Sequence, residues 1–192
     1  MARLAFRVAV PGFLVMLTAA CGWSGPSLVL AGGKPNLTFV GIPSVTPANH
    51  ALIGEMLLCL SGPGRAVITA VRPVHPVGTI DVIDYAVRPN PFLTGGEMLG
   101  SDYGALRTHG FTANQTVNVP CGTGDSGQGY ELGLELSVPS GTNAGTTGWD
   151  IDFRIGGHTG STTFPYGTVL CSTPNLDDKP CKRVWRQFGM HW

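Results

Sequence analysis

Two stretches of the chain alternate strictly between apolar and polar positions. Over residues 130–138, Tyr130, Leu132, Leu134, Leu136 and Val138 are interleaved with Glu131, Gly133, Glu135 and Ser137. Over residues 149–155, Trp149, Ile151, Phe153 and Ile155 are interleaved with Asp150, Asp152 and Arg154. A period of two sends one set of side chains to each side of an extended backbone. Each stretch therefore predicts a strand with one buried and one wet face, as in antiparallel sheets. Residues 139–148, rich in Ser, Gly and Thr, read as a long mobile loop joining neighbouring strands. Pairing Val138 with Trp149 would set Glu135 against Asp152. A slip of two residues keeps every side chain on its face and brings Glu135 or Glu131 opposite Arg154, an attraction of roughly 0.2–1 kcal/mol. The slipped register is the expected one.

Weaker apolar runs at 37–42, 55–60, 66–71, 79–87, 115–119 and 162–170 predict further strands. Gly62-Pro63-Gly64 and Arg88-Pro89-Asn90-Pro91 read as turns. Residues 51–60 are also compatible with a helical start. The sum is about eight short strands with regular turn signals, which predicts an all-β fold, a single antiparallel β-sandwich or barrel. Composition agrees: 28 glycines and 15 prolines in 192 residues favour short strands and many turns over long helices.

The first twenty residues follow another logic. Arg3 and Arg7 precede a short apolar run at 8–17, and Thr18, Ala19 and Ala20 lead to Cys21. A charged start, a short apolar stretch and small residues at its exit are the parts of a secretory signal peptide. The run is too short to cross a bilayer core of about 30 Å as a helix. Leu17-Thr18-Ala19-Ala20-Cys21 resembles the lipobox of bacterial lipoproteins, with Thr18 where leucine is usual. The resemblance implies cleavage before Cys21 and a lipid on its sulfur, holding the chain on the outer side of the cell membrane. Thr18-Ala19-Ala20 also suits an ordinary signal peptidase cutting after Ala20, which would leave a secreted protein. Cysteine parity bears on the choice. There are five cysteines, and a lipid on Cys21 leaves an even set, Cys59, Cys121, Cys171 and Cys181, in an oxidising compartment.

These readings divide the chain into a signal peptide (1–20), a lipidated cysteine with a flexible tether (21–35), a β-sandwich (36–172) and a C-terminal tail (173–192). Four domain cysteines allow three pairings. Cys171 and Cys181 bracket a turn-rich segment that could close locally, leaving Cys59 for Cys121; Cys59 with Cys171 is the main rival. A Cys59–Cys121 spacing resembles that of the inter-sheet bridge of immunoglobulin-like domains. The tryptophan that follows the first cysteine in antibody domains is missing, so the resemblance is to the sandwich architecture.

Charge narrows the function classes. Basic and acidic residues number twelve each, and only 12% of residues are charged, about half the usual share. No basic excess marks a nucleic-acid binder, so no nucleic-acid partner is expected. Gly124-Asp125-Ser126-Gly127 resembles the nucleophile motif of chymotrypsin-like proteases. His50, His75 and His109 lack that family's sequence context, however, and the segment reads as a polar turn. Asp150, Asp152, Glu131 and Glu135 read as a solvated strand face, because calcium needs six to eight oxygens from wrapping loops. Asp177-Asp178 is a similar case. The histidines lack zinc spacings. Met190-His191-Trp192 reads as a chain end packed through Val184, Trp185 and Phe188. Asn36-Leu37-Thr38 and Asn114-Gln115-Thr116 match glycosylation sequons that a bacterial chain would leave unmodified. Lys182, Arg183 and Arg186 form a small basic cluster, read as solvated. No catalytic residue, cofactor or metal is expected.

Lipobox, tether and a small β domain with four cysteines together resemble the envelope lipoproteins of high-GC Gram-positive bacteria, specifically so over residues 1–21 alone. The resemblance implies membrane attachment through Cys21. The expected activity is non-enzymatic: a displayed module that binds a protein or envelope partner. The alternatives are a carrier of a small ligand, glycan or metal and, behind it, a hydrolase.

Overall fold

A computed structural model describes residues 25–31, 38–122 and 128–190. Twelve strands are described: β1 (Leu28–Leu30), β2 (Thr38–Ile42), β3 (Ala51–Leu60), β4 (Ala66–Val74), β5 (Asp81–Pro89), β6 (Ser101–Tyr103), β7 (Thr116–Val117), β8 (Tyr130–Ser137), β9 (Ala144–Thr146), β10 (Gly148–Ile155), β11 (His158–Phe164) and β12 (Tyr166–Leu170). One α-helix, α1 (Lys179–Gln187), follows them. The fold is all-β and mostly antiparallel.

The first sheet runs β1-β3-β8-β5, with β6 also pairing with β3. β1 and β6 bond to different ends of β3, at Leu58–Leu60 and Ala51–Ile53. The second sheet runs β11-β10-β4-β7, and the third β2-β12-β9. Only the β2–β12 pair is parallel among these ladders. One apolar cluster joins them, with Ile53, Met56, Leu58, Leu132, Leu134 and Leu136 of the first sheet against Ile68, Trp149, Ile151 and Phe153 of the second.

Bulges explain why several strands were hard to read. Along β3 the core-facing residues are Ala51 and Ile53, then Met56, Leu58 and Leu60. The parity changes because Gly54 and Glu55 intervene where the pairing with β8 shifts, and Glu55 takes a left-handed φ of 63°. That extra residue hides the period of two, and the segment is strand throughout, with no helical start. β4 does the same at Thr69, between the pairs Ala70–Asp152 and Ile68–Phe153. β5 does it at Ile83, between Val82–Leu136 and Asp84–Glu135.

Five further expectations are corrected. The hairpin joining 130–138 to 149–155 does not form: β8 lies between β3 and β5, while β10 lies between β4 and β11 in another sheet. The partner of Arg154 across the strands is Thr159 on one side and Val67 on the other, so neither Glu131 nor Glu135 faces it. The 139–148 segment contains β9, which bonds to β12 through Val169–Gly145 and its neighbours. Residues 28–30, taken as tether, form an edge strand, and the C-terminal tail contains a docked helix.

That helix is tied on twice. The structure joins Cys171 to Cys181, and Cys59 to Cys121. Cys181, Val184 and Trp185 are buried on its inner face, and Phe39 sits 6.0 Å from the Trp185 ring and 5.7 Å from the Phe188 ring. Gly41 and Gly145 of the underlying sheet leave room for this: an added Cβ would lie 2.6 Å from Trp185 and 2.7 Å from Phe188, respectively.

Candidate interaction surface

The polar side of β8 is not wet. Glu131 is 0% exposed and Glu135 8%. What covers them is the excursion 90–115 between β5 and β7, which folds back over the outer face of the first sheet. Leu106 and Phe111 from the excursion form a small second core with Leu52 of β3 and Ala86 of β5, and Leu99 packs against it. Gly133 makes this approach possible, since a Cβ there would lie 2.7 Å from Leu106 and 2.8 Å from Phe111.

A buried carboxylate must find donors, because an unpaired one would carry a large desolvation penalty. Glu131 finds them in the excursion, in β3 and in β5, and Glu135 in the excursion and at His50, just before β3. Glu131 Oε1 accepts from the backbone N–H of Leu99 at 2.7 Å and of Glu55 at 3.1 Å. Its Oε2 takes the Arg88 guanidinium, with Nε at 2.7 Å. Arg88 then donates to the carbonyls of His109 and Glu97 and lies 4.6 Å over the Phe111 ring. Glu135 Oε1 meets His50 Nδ1 at 2.6 Å, and its Oε2 accepts from the Leu106 N–H at 3.2 Å. The two carboxylates therefore pin the excursion to the sheet at Leu99 and Leu106.

The start of the excursion is a 3₁₀ turn, Pro91–Thr94. Pro91 presets the backbone at its first position. The Asn90 side chain accepts from the Phe92 N–H at 3.1 Å, and Gly95, with a left-handed φ of 76°, closes the other end on the Phe92 carbonyl. Asn90 is itself buried and donates its backbone N–H to the Gly129 carbonyl at 3.0 Å. From this capped turn, Phe92 and Leu93 point outward, 62% and 56% exposed. Large apolar side chains that stay in water on a fixed backbone are where a partner gains most per residue.

Concave regions lie elsewhere on the described surface. One, of about 270 Å³, is lined by Ile83, Asp84, Ala105, Leu106, Arg107 and Glu135. The bulge at Ile83 leaves that side chain 47% exposed at its rim. The other, of about 340 Å³, lies on the second sheet and is lined by Thr69, Asp152, Phe153, Thr159, Gly160 and Ser161.

The remaining sequence candidates are dispersed. Asp152 is paired with Arg72, and Asp150 accepts from the Thr163 hydroxyl at 2.6 Å. Both are on a different sheet from Glu131 and Glu135, so the four carboxylates make no cage. No group of three or more metal-ligating side chains occurs among the described residues. His50 serves Glu135 and the Pro47 carbonyl, His109 lies 3.8 Å from Asp102, and His75 is beside the Thr147 hydroxyl. Asn114 holds the Thr116 N–H at 3.0 Å. Cys21, Asn36, Ser126 and His191 lie outside the described residues. The sequence signal for Phe92 and Leu93 was the Pro-Asn-Pro turn that precedes them, which read as a connection and nothing more. No protein-family model matches the chain, and no curated protein matches it significantly.

Proposed function

We propose that this chain is an exported lipoprotein of a bacterial envelope. In this reading, a lipid on Cys21 holds a non-enzymatic, immunoglobulin-like β-sandwich on the outer side of the membrane. It engages a protein partner through the Phe92–Leu93 turn. The observation that carries the binding assignment is this adjacent apolar pair, exposed on a turn capped at both ends and backed by the Glu131–Arg88 anchor. Aromatic side chains on preorganised backbone are favoured binding anchors, because little entropy is left to lose. The two disulfides favour an oxidising compartment.

The test is the double substitution Phe92→Ser with Leu93→Ser. Both side chains are mostly in water, so the melting temperature should hold while crosslinking to the envelope partner is lost. Retained crosslinking would remove the turn from the interface. Anchoring is tested separately by Cys21→Ser, which should release the protein from the membrane fraction; continued membrane partition would defeat the lipid assignment.

The second reading, a glycan or small-ligand carrier, is favoured by the groove on the second sheet. Its lining includes the hydroxyl residues Thr69, Thr159 and Ser161 and the carboxylate residue Asp152. Several polar groups around one concave patch suit a small polyhydroxylated ligand. A thermal-shift series with envelope glycans separates the two, since a ligand at a hundred times its Kd adds about 2.7 kcal/mol of stability.

A further inference from the structure

The outer face of α1 carries a row of four cations. Lys179, Lys182, Arg183 and Arg186 fall at i, i+3, i+4 and i+7, which places them on one side of the helix. The opposite side is occupied, with Cys181, Val184 and Trp185 buried against the third sheet. Lys182 pairs with Asp177 at 2.9 Å. Lys179, Arg183 and Arg186 have no acidic partner among the described residues and are exposed. Twelve basic residues balance twelve acidic ones in the whole chain, so four on one nine-residue helix are a strong local concentration.

We infer that this row is a docking face for anionic lipid headgroups, which sets the domain's orientation on the membrane. The inference rests on the proposed envelope location but not on the lipid at Cys21. Three features point to a headgroup plane. First, the row lies along the outer side of a helix, about 10 Å from end to end at 1.5 Å per residue, and neither concave region described above is lined by its residues. It therefore meets a flat array of charges better than a single ligand. Second, the apolar side of the helix is spent on the domain, so α1 cannot insert and its contact with lipid is electrostatic. Third, the Cys171–Cys181 bridge and the packing of Trp185 fix the helix, so the four charges act together. The acidic Asp177 and Asp178 lie at the helix N-terminus and subtract from the field there, leaving Arg183 and Arg186 as the strongest end.

The experiment uses lipid-free protein starting at Gly22, with both disulfides formed, and vesicles either of phosphatidylcholine alone or with one third phosphatidylglycerol. Co-sedimentation is measured at low salt. Binding is expected with the anionic vesicles only, weakening about fivefold for each cation removed and fading as added salt shortens the screening length to about 10 Å at 0.1 M. Lys179→Glu with Arg183→Glu and Arg186→Glu should abolish it. A melting temperature near that of the parent would show the variant folded, and Arg183→Lys with Arg186→Lys should restore binding in a chain that keeps Lys179. Equal binding to both vesicle types, or undiminished binding by the triple variant, would overturn the inference. So would binding to a DNA duplex in place of the vesicles. Because the protein lacks Cys21, failure here leaves the lipid-anchor proposal standing, and failure of Cys21→Ser to release the full chain leaves this one standing.

Discussion

Arg88 and Glu131 are cross-strand partners on β5 and β8, and the guanidinium Nε is 2.7 Å from the carboxylate beneath the 90–115 excursion. Glu131 is fully buried, so removing one partner strands the other's charge. Glu131→Gln is expected to lower stability by about 3–5 kcal/mol, the range for breaking a buried pair. Replacing both residues by methionine should cost clearly less than the sum of Arg88→Met and Glu131→Met made singly. Urea denaturation of the four proteins in this cycle measures it. Additive losses would mean the pair is not coupled.

Gly133 sits where the second core closes on the sheet. Gly133→Ala places a methyl group 2.7 Å from Leu106 and 2.8 Å from Phe111, an overpacking worth roughly 1–3 kcal/mol. The strain falls on the excursion, so amide hydrogens at Leu99 and Leu106 should exchange faster while those of β10 hold. Uniform acceleration across both regions would argue against a separately pinned layer.

Tyr166 links the third sheet to the bulge of the first: its hydroxyl lies 3.5 Å from Glu55 Oε2. Burial first, then the Glu55 charge and hydrogen bond, push its pKa from the usual 10.0 up to about 12. The folded state therefore holds this proton more tightly than the unfolded chain. Its contribution is complete below pH 10 and is lost as pH rises towards 12. Absorbance at 295 nm should show one tyrosine ionising last, absent in Tyr166→Phe, and that variant should lose less stability between pH 10 and 12. Tyr85 and Tyr103, shifted the same way by burial and by Asp84 and Asp102, leave a residual slope. An unchanged titration would place Tyr166 in water.

The two disulfides close loops of different length, 62 residues for Cys59–Cys121 and 10 for Cys171–Cys181. Chain entropy predicts about 4 kcal/mol from the first and about 3 from the second. Losing the second, by Cys171→Ser with Cys181→Ser, should also loosen α1 and shift Trp185 emission to longer wavelength with the β core intact. An unshifted spectrum would mean that Trp185 packing alone holds the helix.

The all-β class and most strands were legible because their faces obey a period of two. β10 and the core side of β8 read correctly at Trp149, Ile151, Leu132 and Leu134. What misled was the polar side of β8. Glu131 and Glu135 signal water by composition, and the excursion, whose Leu99 and Leu106 lie 32 and 29 residues away in the chain, covers them and makes them buried acceptors. Strand order was equally hidden. The two alternating strands are not sheet neighbours: β8 pairs with β3 and β5 from the first half of the chain, and β10 pairs with β4 from that half and with β11. The bulges at Glu55, Thr69 and Ile83 each break the alternation by one residue. The Pro-Asn-Pro turn before Phe92 and Leu93 marks a connection, and their exposure follows from the caps at Asn90 and Gly95.

The central claim is that the pinned Phe92–Leu93 turn meets a protein partner outside the cell membrane. The most direct measurement places a photoreactive side chain at Leu93, and at Ser140 as a control, in the full chain. Illumination of intact cells should give one discrete adduct from position 93, none from 140, and none from position 93 when Glu131→Gln frees the excursion. Equal labelling from both positions, or no adduct from position 93, would contradict the account.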